Sequence, residues 1–142
     1  MGLNAIVYRN LRSLRLECDR DRAYADPITG EVVFDDDNLA KKYSRNDFEA
    51  VAFRLGNISE IASLRDEIGG LLDDGSVLLQ RVLYSGTHTA DVIPLELMAR
   101  LSAEVEIIAK SPRLSDELRA FVSKIKTLAG AAMNESNPIV FV

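Results

Sequence analysis

The chain has 142 residues, of which 47% are hydrophobic and 27% are charged, and its formal net charge is −5. This composition excludes a disordered chain, and the acidic balance argues against nonspecific nucleic-acid binding, which requires positive charge facing the phosphates. No stretch approaches the roughly 18 apolar residues of a membrane span, so we expect a cytoplasmic protein without a membrane partner.

One domain covering residues 1–142 is expected, because chains of this length commonly build a single core. Cys18 is the only cysteine, which excludes an intramolecular disulfide and gives no zinc-type spacing. The sequence therefore predicts neither a metal nor a cofactor. Five arginines crowd residues 9–22, but three acids separate them. We interpret this segment as a mixed, solvated surface.

The first half of the chain predicts strands. Residues 3–9 are apolar and rich in β-prone types, residues 14–18 alternate apolar with polar, and residues 31–34 follow a Pro-x-x-Gly turn signal. Residues 49–55 are the fourth candidate. Between the last two candidates, an acidic run leads into residues 38–43, which predict a single helical turn.

Three longer segments have the 3.6-residue apolar period of helices that pack on a core. Asn57 followed by Glu60 predicts a capping box before the first, Pro94 is expected as the first residue of the second, and Ser115 is expected to cap the third. The apolar stripes are Ile61, Leu64, Ile68, Leu71 and Leu72; Leu97, Met98, Leu101, Val105 and Ile108; and Leu118, Phe121, Val122, Ile125, Leu128, Ala129 and Ala132.

Two apolar runs complete the prediction. Val77–Tyr84 is typical of a strand buried on both faces, and Ile139–Val142 is too apolar to remain in water. We expect the terminal run to join the sheet that holds the N-terminal strand. The order of elements predicts an α+β fold, with a mixed or antiparallel sheet of about five to six strands covered by three main helices.

The segment from Tyr84 to Asp91 is the most suggestive functional candidate. It contains Ser85, Thr87 and the only histidine, His88, between the predicted buried strand and the second helix. His88 has the chemistry of an acid, a base or a metal ligand, with Asp91 to orient it and a hydroxyl to activate. The same residues are more typical of a turn that caps a helix, and a binding loop is the next reading. The sequence leaves these three readings open and assigns no catalytic residue.

Two weaker candidates lie elsewhere. Arg54 with Asn57 resembles an anion site at a helix N-terminus, although Asn57 is already explained as a cap. Asp35–Asp37 invites a calcium interpretation, but the acids are consecutive and lack the spacing and the glycine of a calcium loop. We expect the acidic run to be a solvated helix start.

Two short segments of the sequence together resemble small uncharacterised bacterial proteins that begin Met-Gly-Leu. The opening Met1–Asn10 reads like the first strand of those proteins, and Tyr84–Asp91 followed by Val92-Ile93-Pro94 reads like their polar loop before a helix. The family more often has a His-Ser-Asp order where this chain has Ser85-Gly86-Thr87-His88. The resemblance covers about a third of the chain and implies a bacterial or phage-related protein. By analogy with similar small acidic proteins, it suggests toxin neutralisation.

Three functional hypotheses follow from the sequence. The first is a noncatalytic binding or regulatory protein, such as an immunity-type inhibitor, whose acidic charge suits a basic protein partner. The second is a small enzyme that uses the Ser85–Asp91 loop, which predicts a concave pocket holding His88 and a titratable group from another segment. The third is a homo-oligomeric structural protein with a sheet edge or the third helix as its interface.

Overall fold

The computed structural model describes residues 2–142 and has an α+β fold, as expected. Met1, with which the resemblance begins, lies outside the described residues. Four strands form an antiparallel sheet in the order β4-β1-β6-β5, and two more form a separate hairpin. The strands are β1 (Gly2–Tyr8), β2 (Ala23–Ala25), β3 (Val32–Phe34), β4 (Glu49–Asn57), β5 (Val92–Ile93) and β6 (Ile139–Phe141).

Three long helices are present, as predicted, and two of them pack directly on the larger sheet. The three are α3 (Ile58–Gly69), α4 (Met98–Ala109) and α5 (Asp116–Glu135), and two single-turn helices, α1 (Asp37–Ala40) and α2 (Arg45–Phe48), precede them. Helices α3 and α5 pack on β1 and β4, and α4 packs on α5. Pro94 is not the first residue of α4: it precedes a short 3₁₀ turn, Leu95–Leu97, and the α-helix begins at Met98.

The C-terminal run joins the sheet beside the N-terminal strand, as the sequence predicts. Strand β6 pairs antiparallel with β1, opposite Ala5 and Ile6, and on its other side with β5. Ile139, Val140 and Phe141 are each at most 3% exposed. The last apolar residues therefore complete the sheet and help to build its core.

The predicted strand at residues 14–18 is wrong. Leu14 and Leu16 are both buried, as the alternation suggests, but residues 17–22 continue as a 3₁₀ helix. The guanidinium of Arg20 folds back and donates to the carbonyl oxygens of Leu11, Arg12 and Leu14. Within the predicted strand, the carbonyl oxygen of Leu14 thus accepts from a side chain instead of from a neighbouring strand.

The predicted buried strand at residues 77–84 is also wrong, because Leu78–Val82 form one turn of π-helix. Val77 and Leu78 are buried, and so are Val82 and Leu83, whereas the polar pair between them is exposed. This five-residue spacing fits a wide helical turn rather than a strand. The buried carboxylate of Glu104 on α4 accepts the backbone N–H groups of Val77 and Leu78, each at 2.9 Å, and so fixes the start of the turn.

A second, smaller apolar cluster lies beside the hairpin. It consists of Leu14, Leu16, Val32, Phe34 and Leu39. The ring of Tyr43 stacks on Phe34 with centroids 5.4 Å apart, and Phe48 tilts against both. The cluster joins the hairpin and the single-turn helices to the segment that follows β1.

Candidate functional site

The segment 84–91, here called the Tyr84 loop, is held at two places. Near its C-terminal end, the N–H of Ala90 donates to the carbonyl oxygen of Phe141 at 2.8 Å, and the N–H of Phe141 donates to that of Asp91 at 2.9 Å. Near its middle, Gly86 lies against the first residue of α3: a Cβ on Gly86 would be only 2.8 Å from the Cα of Ile58. The loop is therefore fixed to β6 on one side and to α3 on the other.

His88 is the buried centre of the Tyr84 loop, with only 8% of its surface exposed. Its Nε2 lies 2.9 Å from the carbonyl oxygen of Val82, and because a carbonyl only accepts, Nε2 is the nitrogen that carries a proton. Its Nδ1 lies 3.2 Å from Oδ2 of Asp91, but in a direction outside hydrogen-bond geometry. The two atoms are therefore close without being hydrogen-bonded, because a hydrogen bond requires the correct direction as well as a short distance.

Tyr84 lies over this histidine at the surface. The two rings are stacked with centroids 4.5 Å apart, and His88 also meets Phe141 in an edge contact with centroids 4.4 Å apart. The hydroxyl of Tyr84 donates to Oδ2 of Asp91. This hydrogen bond raises the pKa of the Tyr84 phenol, with smaller contributions from burial and from the negative charge of Asp91. One face of the Tyr84 ring therefore packs on His88, and a hydrogen bond to Asp91 fixes its hydroxyl.

Tyr84 and two residues of α3 form one exposed surface. Ile58 and Arg65 are seven residues apart on the helix and therefore share a face, and Arg65 donates to the carbonyl oxygen of Tyr84 at 3.4 Å. Ile58 is 55% exposed and Tyr84 is 45% exposed, although both are large apolar side chains. We call Ile58, Arg65, Tyr84 and Gly86 the Tyr84 surface.

The remaining polar residues of the loop stabilise its backbone or face solvent. The hydroxyl of Ser85 accepts the N–H of Thr87 at 3.3 Å, and Thr87 is exposed. The titratable groups that contact His88 are Tyr84 and Asp91, and both belong to its own segment. A nucleophile activated by His88 would need access to a ring nitrogen, but Nε2 is bonded to the carbonyl oxygen of Val82, and Nδ1, which has no hydrogen-bond partner, is buried.

Arg54 lies apart from the Tyr84 loop. It lines a groove of about 500 Å³ between α3 and α5 whose other lining residues include Glu60, Glu67 and Lys124 but none from the loop. Asn57 does not share an anion site with Arg54; its side chain accepts the N–H of Glu60 as the predicted capping box requires. The structure therefore brings Tyr84, His88 and Asp91 into contact, leaves Ser85 and Thr87 in contact with each other in the same loop, and places Arg54 elsewhere.

The acidic run at residues 35–37 is engaged in local contacts. Arg22 forms ion pairs with Asp35 at 3.0 Å and with Asp36 at 3.5 Å, and the carboxylate of Asp36 caps α1. Among the side chains that the structure describes, no group of three or more His, Cys, Asp or Glu residues is arranged to hold a metal ion.

Comparisons with known proteins add no family to this description. No protein-family model matches the chain, and searches of curated proteins and of solved structures find no significant match. Over the described part of the chain, no helix has both the length and the apolar character needed to cross a membrane.

Two members of the Tyr84 surface were missed by the sequence reasoning. Ile58 and Arg65 both lie on α3, and neither belongs to its buried stripe of Ile61, Leu64 and Ile68. The available signal was Ile58 itself, an apolar residue at the first position of the helix and off the buried face. Its partnership with the loop could not be read from spacing, because it depends on how the loop folds back onto the helix.

Proposed function

We propose that this chain is a noncatalytic protein-binding domain of the immunity-inhibitor type, acting in the bacterial cytoplasm and docking through the Tyr84 surface. The observation that supports this most is an exposed tyrosine held in position by a buried histidine. A side chain that is ordered before binding loses less conformational entropy when a partner arrives. Preorganised tyrosines are a recurrent source of affinity in protein interfaces.

The residue types of the surface support the same function. Tyrosine and arginine are the types most enriched among residues that dominate binding energy, and Ile58 supplies apolar area beside them. Because Arg65 also donates to the backbone of Tyr84, the loop and the helix would present their side chains together. A rigid patch with an aromatic centre and a polar rim is the arrangement expected of a docking site.

The charge of the chain indicates the chemistry of the partner. The net charge of −5 favours association with a basic protein and opposes approach to nucleic acid. Within the site, the side chain of Asp91 is 51% exposed. This carboxylate lies beside the Tyr84 ring, so a lysine or arginine of the partner would meet both an anion and an aromatic face.

The alternative, a small enzyme using the Ser85–Asp91 loop, has less support. It requires an accessible histidine and a reacting group from another segment. His88 is instead packed between Tyr84 and Phe141, where an imidazole supports the rings on either side of it.

The test is a binding titration between the purified chain and each purified protein encoded by the genes on either side of its own. We expect one of them to bind with a dissociation constant of about 1 μM or lower and the Tyr84→Ala variant to bind it at least about tenfold more weakly. Tyr24→Ala is the matched control, because Tyr24 is 55% exposed on β2, outside the Tyr84 surface. Equal losses in the two variants, or no binding to any neighbouring product, would overturn the proposal.

A further inference from the structure

A concave site with no residue of the Tyr84 surface lies between the segment that follows β1 and helix α2. It is a depression of about 370 Å³ with the arginines Arg9 and Arg15 in its wall. This volume is within the range of pockets that hold small molecules. The remaining lining residues are Ser13, Leu14, Leu16, Tyr43, Asn46, Asp47 and Phe48.

The two arginines lack a carboxylate partner. Neither guanidinium forms an ion pair or a hydrogen bond with any side chain that the structure describes. Two other arginines of the same basic segment do have partners. Arg22 forms ion pairs with two aspartates, and Arg20 donates hydrogen bonds to backbone carbonyl oxygens. Arg9, Arg12 and Arg15 are therefore the arginines of this segment without an ion pair, and of these three Arg9 and Arg15 line the depression.

The neighbouring acids are committed to other groups. Asp19 accepts the hydroxyl of Tyr43 at 2.9 Å and pairs with Lys42 at 3.5 Å, and Glu49 pairs with Arg45 at 3.4 Å. Asp47 lines the depression itself, but its carboxylate accepts the N–H of Ser44 at 2.7 Å as part of the capping box of α2.

The base of the depression is apolar. Leu14 is 6% exposed and Leu16 is 1% exposed, and the half-buried ring of Phe48 lies beside them. The lining carries two guanidinium groups and the one carboxylate of Asp47, so its own net charge is +1 although the whole chain is acidic, and charges farther than about 8 Å are largely screened at physiological ionic strength. Guanidinium forks bind phosphate and carboxylate through paired hydrogen bonds.

We propose that this depression binds an oxyanion, a phosphate or carboxylate group, carried by a small molecule with a flat apolar body. The anion lies between Arg9 and Arg15, and the body rests on Leu14, Leu16 and Phe48. This site is separate from the Tyr84 surface. The proposal of an oxyanion site therefore does not depend on the proposed protein-binding function.

The experiment is an NMR titration of the intact chain with phenyl phosphate, and with inorganic phosphate as the probe that lacks the apolar body. We expect shifts at the Nε–Hε groups of Arg9 and Arg15, and a several-fold weaker response to inorganic phosphate. The double variant Arg9→Gln/Arg15→Gln should bind phenyl phosphate at least about tenfold more weakly. Both residues are exposed, so this variant is expected to keep the fold.

Arg12→Gln is the matched control, because Arg12 belongs to the same segment and is exposed but does not line the depression. Its affinity should stay within about twofold of the unaltered chain if the site is local. An equal loss in Arg12→Gln would show general attraction to a basic surface and overturn the proposal. The absence of any shift at about 10 mM phenyl phosphate would overturn it as well.

Discussion

Tyr84 stacks on His88 with ring centroids 4.5 Å apart, so a buried imidazole supports an aromatic ring that is itself 45% exposed. The histidine is in turn packed on Phe141, which lies in the central sheet. This stack connects the core to the surface through three rings. It explains how a loop can present a tyrosine in one fixed orientation.

Removal of the His88 ring should destabilise the fold. His88→Ala leaves a cavity between Tyr84 and Phe141 and leaves the carbonyl of Val82 without its donor, so we expect a loss of about 2–4 kcal/mol in the free energy of unfolding. Urea denaturation measures this change. Thr89→Ala, an exposed neighbour, should change stability by less than about 0.5 kcal/mol. Equal stability of His88→Ala and the unaltered chain would contradict the role of the ring.

A methyl group at Gly86 should displace the Tyr84 loop from α3. Its Cβ would lie 2.8 Å from the Cα of Ile58, and a backbone atom cannot move aside as a flexible side chain can. We expect Gly86→Ala to lower stability by about 1–3 kcal/mol and to shift the amide resonances of Ile58 and Arg65.

The control for this change is Gly69→Ala near the end of α3. No atom lies within 4 Å of a Cβ built at Gly69, so alanine should be neutral or slightly stabilising there. If the two alanine variants had the same stability, the loop would not be packed against the helix as described.

Glu104 should be essential to the π-helical turn. Both of its carboxylate oxygens accept backbone N–H groups, from Val77 and Leu78, at a site that is 7% exposed. Glutamine keeps the shape but offers one acceptor, so Glu104→Gln should leave one buried N–H unsatisfied and cost about 1–3 kcal/mol in thermal or urea unfolding.

Glu106→Gln is the matched change two residues along α4. The carboxylate of Glu106 pairs with Lys126 at 3.4 Å, but the two side chains are 53% and 70% exposed. Such pairs contribute about 0–1 kcal/mol because water screens them. A cost for Glu106→Gln as large as that for Glu104→Gln would mean that burial of the carboxylate does not decide the effect.

Tyr8 should lose its proton only in strong base. Burial and the charges of Glu31 and Glu49 raise its pKa to about 12, and only Arg45 acts in the opposite direction. Because the folded pKa exceeds the unfolded value of about 10, the stability contributed by neutral Tyr8 is present below pH 10. It is lost as the pH rises towards 12.

Absorbance at alkaline pH, compared between the unaltered chain and Tyr8→Phe, isolates this titration. The variant should lack the last tyrosine transition, and its stability should fall less steeply between pH 10 and about 12. A Tyr8 transition near pH 10 would show that the ring is not shielded.

Much of the fold could be predicted from the sequence where spacing alone decides burial. The buried stripes of α3, α4 and α5 and the capping box at Asn57 follow from side chains three and four residues apart, and the C-terminal strand follows from four consecutive apolar residues. These features are local, so a single sequence contains the information that fixes them. Three residues assigned to the stripes lie outside these helices and are half-buried: Leu71 and Leu72 follow α3, and Leu97 precedes α4.

The strand that was wrongly predicted at Val77–Tyr84 is different, because its structure depends on a contact between residues far apart in the sequence. The run Val77–Tyr84 is apolar enough for either a buried strand or a buried helical turn, and the contact that decides between them is with Glu104, 26 residues from Leu78. An acid on the apolar face of α4, between Leu101 and Val105, was the available signal. For the candidate site, the sequence predicts that the polar loop residues lie together, but not that His88 faces inward and Tyr84 outward.

The central claim is that the chain binds a protein through the Tyr84 surface. Mapping the interface in the complex with the partner encoded by a neighbouring gene tests this claim most directly. In methyl and arginine side-chain NMR spectra of this complex, we expect the largest changes at the Ile58 methyl groups, the Arg65 guanidinium and the Tyr84 ring. Tyr24 on the hairpin should stay unchanged. A footprint centred on the hairpin, on the α3–α5 groove or on the depression beside Arg9 and Arg15, with Tyr84 unaffected, would contradict the account.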